Sequence, residues 1–234
     1  LTDAQGRRIG YVDDAFINEI PGAYRSISAG GLGLADDTIY DLPATGDTHM
    51  ILSTHETTRT VTTSVAQFGA GYATMIEDLS ISPQQSDQAT ISADGRVISY
   101  QPAAPRSPTF IFALDASDVG YELQLRGVDI GDAQTVTASD QTQRGTLVLN
   151  GAQTTGGEYT IHIARTSNRG LATFISEKIA LTAGATHMLD YGGWTEGELR
   201  LNIDLNSDGS IDKTITLRNQ APQSNRVYLP LLQR

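Results

Sequence analysis

The sequence predicts an all-β protein of two tandem β-sandwich domains, Ig-like or jelly-roll-like, and three observations carry that expectation. Short β-branched or alternating runs recur about every 8–12 residues, separated by Gly, Pro, Asn or Asp, which is sandwich spacing. No long segment holds a 3.6-residue apolar period, although residues 65–76 imitate one. Only 18% of the 234 residues are charged, so Thr, Ser, Gln, Asn and Gly must cover the surface, as they do on extended β-structure.

Along the chain, Arg7–Val12 and Ala15–Ile20 flank Asp13-Asp14 as a hairpin. Further strands are expected at His49–Thr54, Thr57–Phe68, Tyr72–Ile81, Gln88–Ala93 and Arg96–Gln101. The stretch from Gln101 to Pro108 then places three prolines in eight residues. Proline supplies no N–H to a ladder, so this stretch reads as a stiff linker that divides a first sandwich, residues 1–105, from a second, residues 106–221. The second domain is expected to hold nine strands: Thr109–Leu114, Tyr121–Ile130, Thr135–Ala138, Gly145–Leu149, Glu158–Arg165, Ala172–Leu181, His187–Tyr191, Gly197–Leu205 and Ile211–Leu217. Asn150-Gly151 and Gly156-Gly157 are the sharpest turn signals. Residues 222–234 read as a tail, with a polar spacer at Pro222–Asn225 and an apolar run from Val227 to Leu232. That run is expected as a last edge strand, or as a free strand for a partner sheet. The similarity of Gly46–Met50 to Gly184–Met188 raises an internal duplication as the less favoured alternative to coincidence.

Composition removes several classes of function. The net charge is −11 and only Lys178 and Lys213 are lysines, a field that repels polyanions and speaks against nucleic acid. With no cysteine there is no disulfide, thiolate metal site or cysteine nucleophile. No apolar run is long enough to span a membrane. The chain opens on Leu1 without a basic and then apolar leader, so it is read as a mature or excised piece of a longer precursor.

One motif carries chemistry. Asp204-Leu205-Asn206-Ser207-Asp208-Gly209-Ser210-Ile211-Asp212 fits D-x-N-x-D-G-x-x-D, with side-chain oxygens of Asp204, Asn206, Asp208 and Asp212 at loop positions 1, 3, 5 and 9 and the Ser210 carbonyl at position 7. Ca²⁺ takes six to eight oxygens at about 2.3–2.6 Å, and alternate residues of a curled loop can all point inward. Gly209 permits the sharp reversal. Position 12 is Ile215 and not glutamate, so this is not a helical EF-hand. Leu199, Leu201, Ile203 and Leu205 alternate before the loop, and Ile211, Ile215 and Leu217 share one parity after it, so the flanks are strands. Three carboxylates this close should repel without a cation and become ligands with one. The alternative is an Asx-rich turn without metal. An affinity on the order of 10⁻⁴ to 10⁻³ M is expected for an extracellular site of this kind.

Other residues carry weaker expectations. His49, His55, His162 and His187 lie in no zinc-binding spacing, and half-exposed strand positions explain His49, His55 and Glu56 best. Asp13/Asp14, Asp36/Asp37, Asp115/Asp118 and Asp129/Asp132 are expected in solvated turns, the last two pairs standing next for weak calcium or, with the others, for a glycosidase pair. Ala29–Gly33 lacks a following Lys-Ser/Thr and reads as a loop. Tyr11, Tyr191 and Trp194 read as core or corner residues before sugar-stacking ones. No G-x-S-x-G, phosphate-loop or dinucleotide motif occurs.

The segment Thr2–Gly10, with Asn18-Glu19-Ile20-Pro21-Gly22-Ala23, resembles a segment downstream of catalytic or von Willebrand A-type domains in large secreted bacterial proteins. Val227–Leu232 resembles the chain ends of some of these proteins, and Asp204–Asp212 is similar to the calcium loops of integrin-type propeller repeats. The resemblance implies a C-terminal accessory β-sandwich region of a secreted or surface bacterial protein, and it brings no catalytic residue. In the loops it resembles, the aspartate at position 9 closes the shell in place of a distant glutamate.

The expected function is accordingly a non-catalytic, Ca²⁺-stabilised extracellular module for display, spacing, anchoring or adhesion, with an unidentified protein or glycan ligand. Three alternatives stand beside it: an accessory region of a secreted hydrolase, lipase- or protease-like, whose active site lies upstream; a carbohydrate-binding module; and a surface subunit that self-associates through its terminal strand.

Overall fold

Every regular element but one short 3-10 turn is a strand in the computed structural model, which describes residues 1–12, 15–27, 38–43, 46–54, 57–116, 118–151, 153–168, 170–195 and 197–221. The strands are β1 (Ile9–Val12), β2 (Ala15–Asn18), β3 (Tyr24–Ile27), β4 (Thr38–Asp41), β5 (Thr48–Ser53), β6 (Val61–Gly69), β7 (Tyr72–Ile81), β8 (Ser86–Ile91), β9 (Val97–Gln101), β10 (Thr109–Ala116), β11 (Val119–Arg126), β12 (Val136–Gln141), β13 (Thr146–Asn150), β14 (Gly157–Ser167), β15 (Gly170–Leu181), β16 (Thr186–Thr195), β17 (Glu198–Asp204) and β18 (Lys213–Arg218). Most match expected runs. β3 and β4 do not, and the tail at 222–234 lies outside the described residues.

Two large antiparallel sheets result. One has six strands in the order β15-β14-β11-β10-β7-β6, and the other has eight in the order β18-β17-β16-β13-β12-β9-β8-β5; β1–β2 and β3–β4 form separate pairs. After β5 the chain lays down hairpins alternately in the two sheets: β6–β7 in the first, β8–β9 in the second, and so on to β16–β17. The first-sheet hairpins begin at Val61, Thr109 and Gly157, each 48 residues after the last. Antiparallel alternation places the hairpin turns at one end of the two layers and the crossovers at the other. This structural repeat is not the one suggested by the echo of Gly46–Met50 in Gly184–Met188, because β5 and β16 hold different places in the unit.

In place of two tandem sandwiches, both sides of the proline stretch share one pair of sheets. β10 pairs with β7 and β12 pairs with β9 across it. One apolar cluster runs from Met50 to Leu217. Its inward faces follow the two-residue period: Phe110, Phe112 and Leu114 on β10, Tyr159, Ile161 and Ile163 on β14, and Leu199, Leu201 and Ile203 on β17 are all buried. Aromatic pairs bridge the layers, Tyr100 to Phe110 at 6.4 Å between centroids and Phe174 to Trp194 at 6.3 Å, both edge to face.

Residues 102–108 are therefore a crossover from one sheet to the other, where missing N–H donors cost nothing because no ladder passes through. The Asp87 carboxylate on β8, fully buried, anchors it by accepting from the Ala103 N–H at 2.8 Å, the Arg106 Nε at 3.2 Å and the Tyr100 hydroxyl at 2.5 Å. Arg106 also donates to the Gln85 Oε1 at 2.7 Å, and its backbone bridges Ile130. Burial first, and then the bond to Asp87, raises the Tyr100 phenol pKa, so it stays a donor. A second buried carboxylate, Asp140 on β12, accepts from Arg96 and the Tyr191 hydroxyl, each at 2.6 Å, and from Thr142 beside the turn that follows.

Three of the four sheet edges are covered or charged. Thr2 exchanges two backbone bonds with His49 on β5, at 2.7 and 3.0 Å. After β18 the chain crosses to β15, where Asn219 and Gln220 engage Thr173, Ile175 and Glu177. β18 is short and bounded by Lys213 and Arg218.

Replacing Asp87 by Ala leaves the Arg106 guanidinium, 9% exposed, without its buried counter-charge. Urea denaturation of Asp87→Ala is expected to show a loss of about 3–5 kcal/mol in one cooperative transition. Two transitions would indicate two independent domains.

Candidate functional site

The D-x-N-x-D-G-x-x-D segment forms the connection between β17 and β18. The ladder runs up to the pair Ile203 and Lys213, and the Asp212 N–H closes the base on the Ile203 carbonyl at 2.9 Å. Asp204 ends β17 and is buried at 2% exposure, so its carboxylate points back into the loop. Its Oδ1 accepts from the Asn206 and Asp208 N–H groups at 3.3 and 3.2 Å, and its Oδ2 from the Gly209 N–H at 2.7 Å. Successive amides converge in this way because Ser207 and Gly209 lie in the left-handed region, at φ +55° and +92°.

The remaining donors continue the coil. Asn206 Oδ1 accepts from the Asp208 N–H at 3.2 Å, while Asn206 Nδ2 donates to Asp208 Oδ2 at 3.0 Å. Asp208 Oδ1 accepts from the Ser210 N–H at 2.8 Å, and Asp212 Oδ2 from the Leu205 N–H at 2.7 Å. The Ser210 N–H, followed by the Asn206 amide, holds the Asp208 carboxyl below the usual carboxylate range, so it is anionic at neutral pH. Four of the five expected residues are thus joined in one hydrogen-bonded chain from Asp204 through Asn206 and Asp208 to Ser210, and Asp212 secures the loop's base. Among the described residues no three His, Cys, Asp or Glu side chains are gathered into a metal-holding group. A cation here would also depend on the Asn206 amide and the Ser210 carbonyl. Each carboxylate oxygen bonded to one N–H retains lone-pair capacity for a second partner.

Ser207 makes the contact of this loop that sequence reasoning missed. Its hydroxyl donates to the Gly184 carbonyl at 2.7 Å and meets the Thr186 hydroxyl at 2.7 Å, tying the loop to the crossover before β16. Nothing at an x position of the motif marks such a contact, which exists only because β16 is the next strand in the sheet.

At the turn end lies an open cleft of about 480 Å³, lined by Tyr121, Arg144, Asp190, Gly192 and Gly193 among others. Its floor is set by a close approach: a Cβ on Gly145, at φ +60°, would stand 2.5 Å from the Gly192 Cα. The Tyr191 and Thr142 hydroxyls on its wall are engaged with Asp140. The cleft presents a cation, a carboxylate and a phenol ring, a surface for polar contact.

The other sequence candidates scatter. Asp129 ties two crossovers together, accepting from the Ser107 hydroxyl at 2.7 Å and the Glu158 N–H at 3.2 Å, and Asp132 is exposed. Asp115 and Asp118 are exposed at a hairpin turn. Tyr191 and Trp194 are core residues, the indole carrying the Arg165 guanidinium 4.6 Å from its centroid, whereas Tyr11 is 55% exposed. His49 bonds Thr90, and His162 meets Arg126, its pKa lowered by partial burial and then by that charge. Asp13, Asp14, Ala29–Gly33, Asp36, Asp37, His55 and Glu56 lie outside the described residues.

His187 is buried at 1% exposure between the sheets, with Nδ1 2.8 Å from the Tyr159 hydroxyl and Nε2 without a partner. Burial pushes its pKa down to about 4 from 6.5. The unfolded chain therefore takes up this proton first as pH falls, so the stability held above pH 6.5 is lost progressively toward pH 4. Urea unfolding is expected to show a loss of about 2 kcal/mol between pH 7.5 and 5, and His187→Gln should remove most of that slope. Comparison with known proteins gives no matching family model, no similar curated protein and no similar solved structure.

Proposed function

We propose that this chain is a non-catalytic accessory module that works outside the cell, where Ca²⁺ held by Asp204, Asn206, Asp208, Asp212 and the Ser210 carbonyl stabilises the β17–β18 end of the two-sheet scaffold. The observation that carries this reading is the inward coil of the loop, with the Asp204 carboxylate fixed by three converging amides and Asp208 kept anionic. A hard dication suits such a set because all its donors are oxygen. The residues hold and orient the ion. The ion's contribution is charge neutralisation, which turns mutual repulsion of carboxylates into cross-linking. A weak site fills at the millimolar calcium outside cells and not at cytosolic levels, so it couples stability to location. The rest of the molecule suits display, spacing or anchoring of a neighbouring domain, because one continuous, close-packed core from Met50 to Leu217 joins the two large sheets.

Thermal unfolding tests the reading. At about 5 mM Ca²⁺ a site in the expected affinity range adds about 1–2 kcal/mol, a rise of about 3–6 °C in Tm over the chelated protein. Asp208→Asn should abolish most of that rise while leaving the chelated Tm nearly unchanged. An equal rise in wild type and Asp208→Asn, or none in either, would overturn the proposal.

A further inference from the structure

We propose that the free edge of β6 is a self-recognition surface, and that two copies of this chain pair β6 against β6 about a two-fold axis, joining their six-stranded sheets. The other three edges of the large sheets are closed by Thr2, by Asn219 with Gln220, or by the charged ends of a short strand. β6 has none of these protections. It is nine residues long, Val-Thr-Thr-Ser-Val-Ala-Gln-Phe-Gly, with no charge and no proline. Beyond its pairing with β7, no described residue bonds its backbone except Thr63, whose own hydroxyl reaches the Ser64 carbonyl at 3.4 Å. An unpaired row of N–H and C=O groups on an uncharged, β-branched strand is a template for another strand.

The strand is also regular where an edge strand is usually spoiled. The ladder shifts register between Thr63 and Val65, but the extra residue sits on β7, where Ser64 faces both Glu77 and Asp78 and Asp78 is left-handed at φ +63°. β6 itself alternates half-buried and exposed positions without a break from Val61 to Phe68. Its inward residues, Val61, Thr63, Val65 and Gln67, are only half-buried, because the six-stranded sheet stops there. One more strand alongside would finish their burial.

A second copy is the occupant that fits. Continuation of one copy's sheet by β15 of the next would extend the hairpin array head to tail, but Asn219 and Gln220 already hold that edge, so the contact must be isologous. With Val65 on the axis, Ser64 faces Ala66 of the partner subunit and Thr62 faces Phe68 of the partner subunit, whose side chain is 75% exposed in the single chain. The uncharged centre lets two strongly acidic molecules meet where neither carries charge.

Sedimentation equilibrium of the full chain between 5 and 200 μM, at physiological salt, tests this. The expected result is a reversible dimer. Ser64→Lys with Ala66→Lys sets lysine opposite lysine on exposed positions and should weaken dimerisation at least tenfold with Tm unchanged. Ser64→Glu with Ala66→Lys sets opposite charges across the same axis and should restore it. A wild-type chain that stays monomeric throughout the range overturns the proposal, as does a lysine variant that dimerises like wild type. If a chain ending at Ala221 dimerises where the full chain does not, the edge belongs to the chain's own C-terminal segment, and the proposal is again overturned.

Discussion

Burial of the two large sheets' inner faces against each other is the constraint on which the rest of the structure depends. Each hairpin offers one apolar face and is followed in sequence by a hairpin in the opposite layer, so neighbouring segments cover one another across the sandwich. Antiparallel pairing then links every hairpin to the next one in its own layer. A chain woven like this has no cleavage plane through its middle, because any cut between β6 and β15 severs ladders in both sheets. Local hairpins keep many contacts close in sequence, while the pairing of β7 with β10 and of β11 with β14 supplies the long-range order.

Charge inside this core is used sparingly and only with full sets of donors. Asp87 and Asp140 stand at opposite ends of the layers, one at the crossover end and one at the turn end, and each gathers an arginine, a tyrosine and a further donor. Carboxylates so placed add little net stability over an apolar replacement, since removing them from water costs nearly what their partners return. They do make one arrangement of loops far better than any other, because every competing arrangement strands a buried charge. His187 follows the opposite rule: it enters the core neutral, bonded to Tyr159, and its burial disfavours the charged form.

The acidic loop sits at the crossover end because β17 returns there from the β16–β17 turn, antiparallel to β16 on one side and β18 on the other. Its fold is mostly self-contained: amides of the loop satisfy carboxylates of the loop, and left-handed residues at Ser207 and Gly209 bring them round. Ser207 alone reaches out, to Gly184 and Thr186, and makes the loop report on the position of β16. The edges follow the same economy, with terminal segments covering β5 and β15.

What the amino-acid sequence determined by itself is what depends on neighbours within a few residues. Strand identity was legible because a two-residue period needs only its own side chains, as Leu199, Leu201 and Ile203 show, and the curl of Asp204–Asp212 was legible because donors and acceptors lie within that stretch. β3 and β4 were not, since Tyr24–Ile27 and Thr38–Asp41 are only four residues each and none of Thr38–Asp41 is buried. The role of residues 102–108 was decided only in three dimensions. Three prolines forbid a central strand equally well in a linker and in a crossover, and the difference lies in Asp87 and Ile130, which meet Arg106 from 19 and 24 residues away. The burial of His187, the grip of Ser207 and the openness of β6 belong to the same kind: each depends on which strand lies next door, and that is settled by the packing of two sheets and not by any local run of residues.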